Sequence, residues 1–422
     1  MLPYAAPALE RIYGYRGGFF ASSSTPLPHH CLSRLLPLVL TIGILTGCGS
    51  DRASDPRGVD LDFSRGIDAT FNAITHNQNP LERAALWVEF YASIDPADAP
   101  RVGDLFKKSI GGQDEVSATL LASWWAQHDP RGALKRAYSW PWDDRKLGTR
   151  VVFYEWGRSA PEEALQGLAG LPGLVSGQIQ SAGGAFVRGF VDSGAAPSAE
   201  LASFIEGIDV LKDRVSMIET LISGLSARDG LKATEAYVGS LDQQVAPDLT
   251  KQFFRTFVGV AAIRDPDEAK VFVEKYADSV YGKHLRRRLG ARWARFHGAE
   301  AMEWARALPI EDDRDDVVEH TFRNFVFADR SAATLWMHER HDDPSLEAVL
   351  PMFLAVLAKQ DPQQAAHWLP RVSDAEKRQR TTEKVVKEWL RTDPEAAMAW
   401  VDASELSPRV KRSLSKLLAE KS

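Results

Sequence analysis

Large apolar residues and alanines return along this chain on a fixed count, with charged stretches between them. Trp304, Trp336, Trp368 and Trp400 stand 32 residues apart. Three positions before each is an alanine: Ala301, Ala333, Ala365 and Ala397. Eleven positions before each is a second bulky apolar residue: Trp293, Phe325, Leu357 and Trp389. A period near 32 is the length of one helix–turn–helix unit, so the pattern predicts an array of helix pairs. In the sharpest copy the first helix is short, Pro362 to about Leu369, and the second long, about Asp374 to Leu390.

Fainter copies extend upstream. A bulky residue, an Asp-Pro or Ala-Pro step and an alanine recur at Tyr91 to Ala99, Trp125 to Ala133 and Trp156 to Ala164, and Asp265-Pro266 is followed by Ala269. Degenerate copies replace the proline with Gly230, Gly298 or Arg330 and keep Ala233, Ala301 or Ala333. A distorted copy sits at Pro197, with Phe190 displaced by two residues. Taken at positions 96, 130, 161, 197, 230, 266, 298, 330, 362 and 394, the copies are spaced 31 to 36 residues apart and make about ten units.

Each residue type has a local reason. The bulky residue fills the gap between units from the last turn of one helix. Asp accepts hydrogen bonds from the open N–H groups of the next helix. Proline at the first helical position loses nothing, because its missing N–H had no intrahelical partner. Alanine one turn in lets the paired helices approach, and the tryptophan three residues later falls on the same face. Tryptophan can also stack on sugars, peptides or cations. Here it recurs with alanine and cap, so Trp293, Trp304, Trp336, Trp368, Trp389 and Trp400 are expected in the core.

The stretch Asp393-Pro394-Glu395-Ala396-Ala397-Met398-Ala399-Trp400 resembles the junction between tetratricopeptide repeats, whose period is 34. The Gly-x-x-Tyr stretch of that family is missing. The resemblance implies an all-α, tetratricopeptide-like α-solenoid over residues 61–422. A generic helical bundle is the alternative.

The front of the chain carries a different signal. Residues 35–45 form an uncharged apolar run behind Arg34, too short to span a bilayer but suited to a signal-peptide core. It leads into Leu45-Thr46-Gly47-Cys48, which resembles a bacterial lipobox. That resemblance implies cleavage before Cys48 and acylation of its thiol. Residues 1–47 are therefore expected to be a signal region, with an N-terminal extension that a start codon nearer Cys31 or Leu32 would remove. Residues 48–60 are expected to be the lipidated cysteine and a polar tether. Gly49 after the cysteine leans towards the outer membrane, facing the periplasm. Cleavage would remove Cys31, leaving a mature domain without a free thiol or disulfide.

Charge narrows the partners. The full chain has a net charge of −6, and residues 48–422 carry 48 basic and 56 acidic residues, a net charge of −8. A general nucleic-acid binder would be basic. The strongest basic stretch runs from Lys283 through Arg286, Arg287 and Arg288 to Arg292 and Arg295. Leu285, Leu289, Trp293 and Phe296 read as its buried stripe, with the arginines mostly on the flanks. It could dock an acidic partner or anionic lipid heads, but the sequence favours a solvated helix face.

Candidate chemistry is thin. His338-Glu339-Arg340-His341-Asp342-Asp343 lacks the spacing of a His-Glu-x-x-His zinc site and reads as a helix end followed by a cap. Glu311-Asp312-Asp313-Arg314-Asp315-Asp316 lacks the alternation and glycine of a calcium loop. There is no Gly-x-Ser-x-Gly elbow and no glycine-rich phosphate loop after a strand. No cofactor, metal or small-molecule substrate is therefore expected. Two functions compete. One is a membrane-anchored envelope lipoprotein acting as a non-enzymatic scaffold for envelope proteins or peptides, of the envelope, pilus or secretion assembly type. The other is an enzyme or accessory factor acting on cell-wall glycan. Superhelical lytic transglycosylases are the nearest comparison, but they carry a catalytic Glu-Ser pair and this chain has none. Sequence favours the scaffold.

Overall fold

Asp393 ends one helix and starts the next. Its N–H donates to the Trp389 carbonyl at 2.8 Å, closing the helix Ala375–Thr392. Its carboxylate accepts from Ala396 N at 2.9 Å and its carbonyl from Ala397 N at 3.1 Å, opening the helix Pro394–Ala403. No loop intervenes. The same elbow recurs at Asp129, Ala160, Asp265, His297, Asp329 and Asp361. In all seven, φ lies between −137° and −153° and ψ between 66° and 95°. In all seven the N–H reaches the carbonyl four residues back at 2.8–2.9 Å. The four Asp side chains besides that of Asp393 cap in the expected way: Asp129, Asp329 and Asp361 accept from Gly132, Ala332 and Gln364 at 2.8–2.9 Å, and Asp265 from two N–H groups at 3.1 Å.

The computed structural model describes residues 65–109, 115–171, 176–241, 245–310, 313–340 and 343–404, with 406, 408, 411 and 412. The expected signal region 1–47, Cys31, Cys48 and the tether 48–60 lie outside the described residues. Among the described residues the chain forms 21 α-helices and no strand. They divide into two compact units, one ending at Val152 and one starting at Phe153.

The first unit holds the helices Ile67–Thr75, Pro80–Ser93, Ala99–Lys108, Glu115–His128 and Pro130–Tyr138. Its core is aromatic: Phe71 meets Trp87 edge-on at 4.9 Å, and Tyr91 stacks between Trp87 and Trp124 at 5.5 and 5.0 Å. In the second unit short and long helices alternate. The long helices Ser176–Asp192, Leu211–Arg228, Pro247–Arg264, Gly282–Trp293 and Arg314–Ala328 each pack on the next. The short helices Leu231–Ser240, Pro266–Lys275 and Gly298–Arg306 each lie against the long helices before and after them. The expected short–long pair at Pro362 is found as Pro362–Trp368 and Ala375–Thr392, with Asp374 capping the latter.

Alanines at the elbow are buried as expected: Ala99, Ala133, Ala164, Ala269, Ala301, Ala333, Ala365 and Ala397. Ala233 is the exception. It is exposed, and Thr234 is buried in its place. The junction there has an extra residue, Gly230, at φ +86°, which only glycine adopts readily, and the helix starts at Leu231. The copy placed at Pro197 shifts in the same sense: Ser198 is the cap, the helix is Ala199–Glu206 and Ala202 takes the buried place. At Pro96 the chain forms a 3-10 turn, Pro96–Asp98, before the helix Ala99–Lys108, with Asp95 accepting from Ala97 N at 2.9 Å.

Trp293, Trp336, Trp368 and Trp389 are buried. Trp304 and Trp400 are only half-buried, a correction to the expected core. Each ring lies tilted against the preceding helix-end tryptophan, at 6.2 Å for Trp304 and 6.1 Å for Trp400.

Candidate partner-binding surface

The helix Gly282–Trp293 carries the basic stretch, and its two flanks meet opposite surroundings. Leu285, Leu289 and Trp293 form the buried stripe. Phe296 does not join it and is 57% exposed, because the helix ends at Trp293 and the 3.6-residue period stops with it.

On one flank the cations are matched. Lys283 meets Asp313 at 3.0 Å, and Arg287 meets Asp316 at 3.2 Å and also contacts His320. Asp313 stands at φ +55°, at the start of the helix Arg314–Ala328, and Asp315 pairs with Arg314. This part of the acidic run thus serves cations of its own chain, while Glu311 and Asp312 lie outside the described residues. Arg286 is buried at 7% exposure, and its Nη1 donates to the Ala277 carbonyl at 3.5 Å. Neither Arg286 nor Arg287 behaves as the solvated flank that sequence suggested.

On the other flank like charges gather. Arg288 and Arg292 recur at i and i+4 and share a face, and Arg295 follows in the turn after the helix end. Burial, then the neighbouring Arg255 and Arg292, hold the Arg288 guanidinium below its usual pKa, and Glu219 opposes this. Beside it His284 is lowered by burial and then by Lys251, Arg287 and Arg255. Arg288 lies across the backbone of the helix Pro247–Arg264: a Cβ built on Gly259 would stand 2.8 Å from its Nη2.

Arg295 ties this cluster to apolar surface. Its guanidinium sits 5.4 Å from the ring centre of Phe327, which is 77% exposed. Beside it opens a cleft of about 320 Å³ whose lining includes Ala294, Phe296, Gly298, Phe325, Ala328 and Ala332. The cleft sits at the junction where Gly298 stands in place of proline. A side chain there would collide with Phe325, whose Cδ2 lies 2.0 Å from a built Cβ. A second groove, about 540 Å³, is lined by Lys270, Val271, Glu274, Arg286, Trp304 and Leu308. Lys270 Nζ rests 4.9 Å above Trp293 beside it.

Sequence reading missed Arg255 and Phe327. Arg255 stands about one period upstream of Arg288, so stacking the repeats would have put the two side by side. Nothing local marks Phe327, which reads as a continuation of the Phe322–Phe325 stripe.

Elsewhere His338 packs edge-on against Phe353 and Trp368 at 5.8 and 5.2 Å, while His341 and Asp342 lie outside the described residues. Asp343 caps the 3-10 turn Pro344–Val349 through Ser345 N at 2.8 Å. Among the described residues no three His, Cys, Asp or Glu side chains converge as a metal-ion set. No helix among them is long and apolar enough to cross a membrane. What the surface offers chemically is charge-assisted pairing with anions beside an apolar recess. No protein-family model matches the chain, and no curated protein or solved structure matches it.

Proposed function

We propose that this chain is a lipid-anchored envelope protein whose helices form a tetratricopeptide-like array serving as a non-enzymatic interaction scaffold. The observation that carries the reading is the recurrent elbow. Seven junctions share one backbone geometry, as an array of equivalent helix pairs would require, and such an array presents broad surface rather than one enclosed site. Leu45-Thr46-Gly47-Cys48 supports the anchor, with Cys48 as the acylated residue and the outer membrane as destination. The anionic chain and the split basic helix support protein or peptide partners over nucleic acid.

The test is metabolic labelling with radioactive palmitate combined with crosslinking in intact cells. Label should enter the wild type and vanish in Cys48→Ala, and discrete adducts should depend on the anchor. Label retained by Cys48→Ala would sink the anchor. Absence of any adduct in the labelled wild type would sink the scaffold.

A further inference from the structure

One elbow departs from the repeat pattern more than the others. Five of the seven elbows are followed by proline: Pro130, Pro161, Pro266, Pro362 and Pro394. Five have an aspartate whose carboxylate caps the next helix: Asp129, Asp265, Asp329, Asp361 and Asp393. The elbow His297-Gly298 is the one of the seven with neither. Both features favour a helix start, so this junction gives up stability that its equivalents keep. A local departure from an otherwise consistent pattern marks a functional surface.

An apolar knob and an apolar hole meet at this elbow. Among the described residues the exposed large apolar side chains include two aromatic rings, Phe296 at 57% and Phe327 at 77%. They come from successive units and stand together. Phe296 lines the cleft of about 320 Å³ at Gly298. Arg295 lines it too, and its guanidinium lies 5.4 Å from the centre of the Phe327 ring. A cleft of this size admits one aromatic side chain.

Charge is arranged in the same way. Arg295 and Glu300 both line the cleft and both are exposed. Neither has an ion-pair partner among the described residues, and they do not pair with each other. One patch thus holds a ring, a cleft, an open cation and an open anion. A two-fold contact needs both halves of every match on one patch, because each copy presents the same surface.

We propose that this face is the contact between two copies of the chain related by a two-fold axis. Phe327 of each copy enters the Gly298 cleft of the other, and Arg295 of each pairs with Glu300 of the other. A partner of one charge sign would satisfy one of the two open charges, whereas a second copy satisfies both. Aromatic rings and arginine are the side chains enriched in such contacts. The inference goes beyond the scaffold reading. Under that reading, two chains anchored in one bilayer meet at a raised effective concentration, so a contact of modest area is populated there.

The test uses intact cells that co-express two differently tagged full-length copies. A short amine-reactive crosslinker is added, one tag is captured under denaturing conditions, and the other is probed. Wild-type copies should give an adduct of twice the chain mass. Arg295→Glu paired with itself sets a carboxylate against Glu300 across the axis and should lower the yield at least about tenfold. Glu300→Arg paired with itself should do the same. Arg295→Glu mixed with Glu300→Arg should recover the wild-type yield, because both pairs across the axis again join opposite charges. Phe327→Ser should lower the yield without lowering Tm, since the ring is exposed. Equal yields in all combinations, no adduct between wild-type copies, or no recovery in the mixture would overturn the proposal. Anchor-dependent adducts to other proteins in cells that give no self-adduct would overturn this contact and leave the scaffold reading standing.

Discussion

The indole rings of Trp293 and Trp304 lie 6.2 Å apart at 48°, and three periods later Trp389 and Trp400 repeat the arrangement at 6.1 Å and 42°. In each pair the tryptophan that ends a long helix is buried, and the one on the following short helix lies half-open against it. One residue type at one period therefore does two jobs. The inner ring packs the elbow, and the outer ring walls a groove, as Trp304 does with Val271 and Leu308.

The two rings should differ on truncation. Trp293→Ala is expected to cost ~3–5 kcal/mol, as for a large buried side chain. Trp304→Ala is expected to cost less, ~1–3 kcal/mol, because part of its ring is already wet. Denaturant unfolding of the full chain followed by circular dichroism measures both. Equal losses would contradict the division into packing and wall.

The elbows allow a two-way test of capping. Asp361→Ala and Asp393→Ala should each cost about 1 kcal/mol. They stand a full unit apart, so the losses should add. Ala160 has the same backbone angles and lacks the side-chain acceptor. Ala160→Asp should therefore stabilise, by ~0.5–1 kcal/mol. A shift of the unfolding midpoint in the wrong direction at Ala160 would show that the elbow is held by packing alone.

Much of this fold was legible because its signals are local. An Asp-Pro step announces a cap wherever it falls, so the elbows at Asp129, Asp265, Asp361 and Asp393 could be placed from sequence. The register at Ala233 could not, because Gly230 inserts a residue whose left-handed backbone is a tertiary choice. Cys48 and the segment before it are legible only as sequence. The basic helix was half legible. The arginine run is plain, but its division is not: Arg287 is claimed by Asp316 and Arg286 by burial, and both depend on which helix packs on which flank.

Close helix contact in the second unit makes one glycine irreplaceable. A Cβ at Gly189 would stand 2.1 Å from the Tyr154 carbonyl oxygen, a backbone atom that cannot swing aside. Inside a helix, Gly→Ala normally gains about 1 kcal/mol. Gly189→Ala should instead lose ~1–3 kcal/mol through overpacking. A raised Tm would contradict the close packing of these two helices.

Tyr154 gives a pH signature at the same contact. Its hydroxyl donates to Asp192 at 2.7 Å, and burial, then that hydrogen bond, raises its pKa to about 12. The folded value exceeds the unfolded one, about 10. The contribution is therefore complete below pH 10 and is lost as pH rises from 10 towards 12. Tyr154→Phe should cost ~0.5–1.5 kcal/mol at neutral pH and flatten that alkaline decline. Identical slopes for both proteins between pH 10 and 12 would place the effect elsewhere.

The proposed anchored scaffold is tested most directly by a photoreactive phenylalanine analogue at Phe327, which is 77% exposed, in intact cells. The expected result is a discrete protein adduct from position 327 that is lost in Cys48→Ala. No adduct at 327, or an adduct indifferent to Cys48, would contradict it.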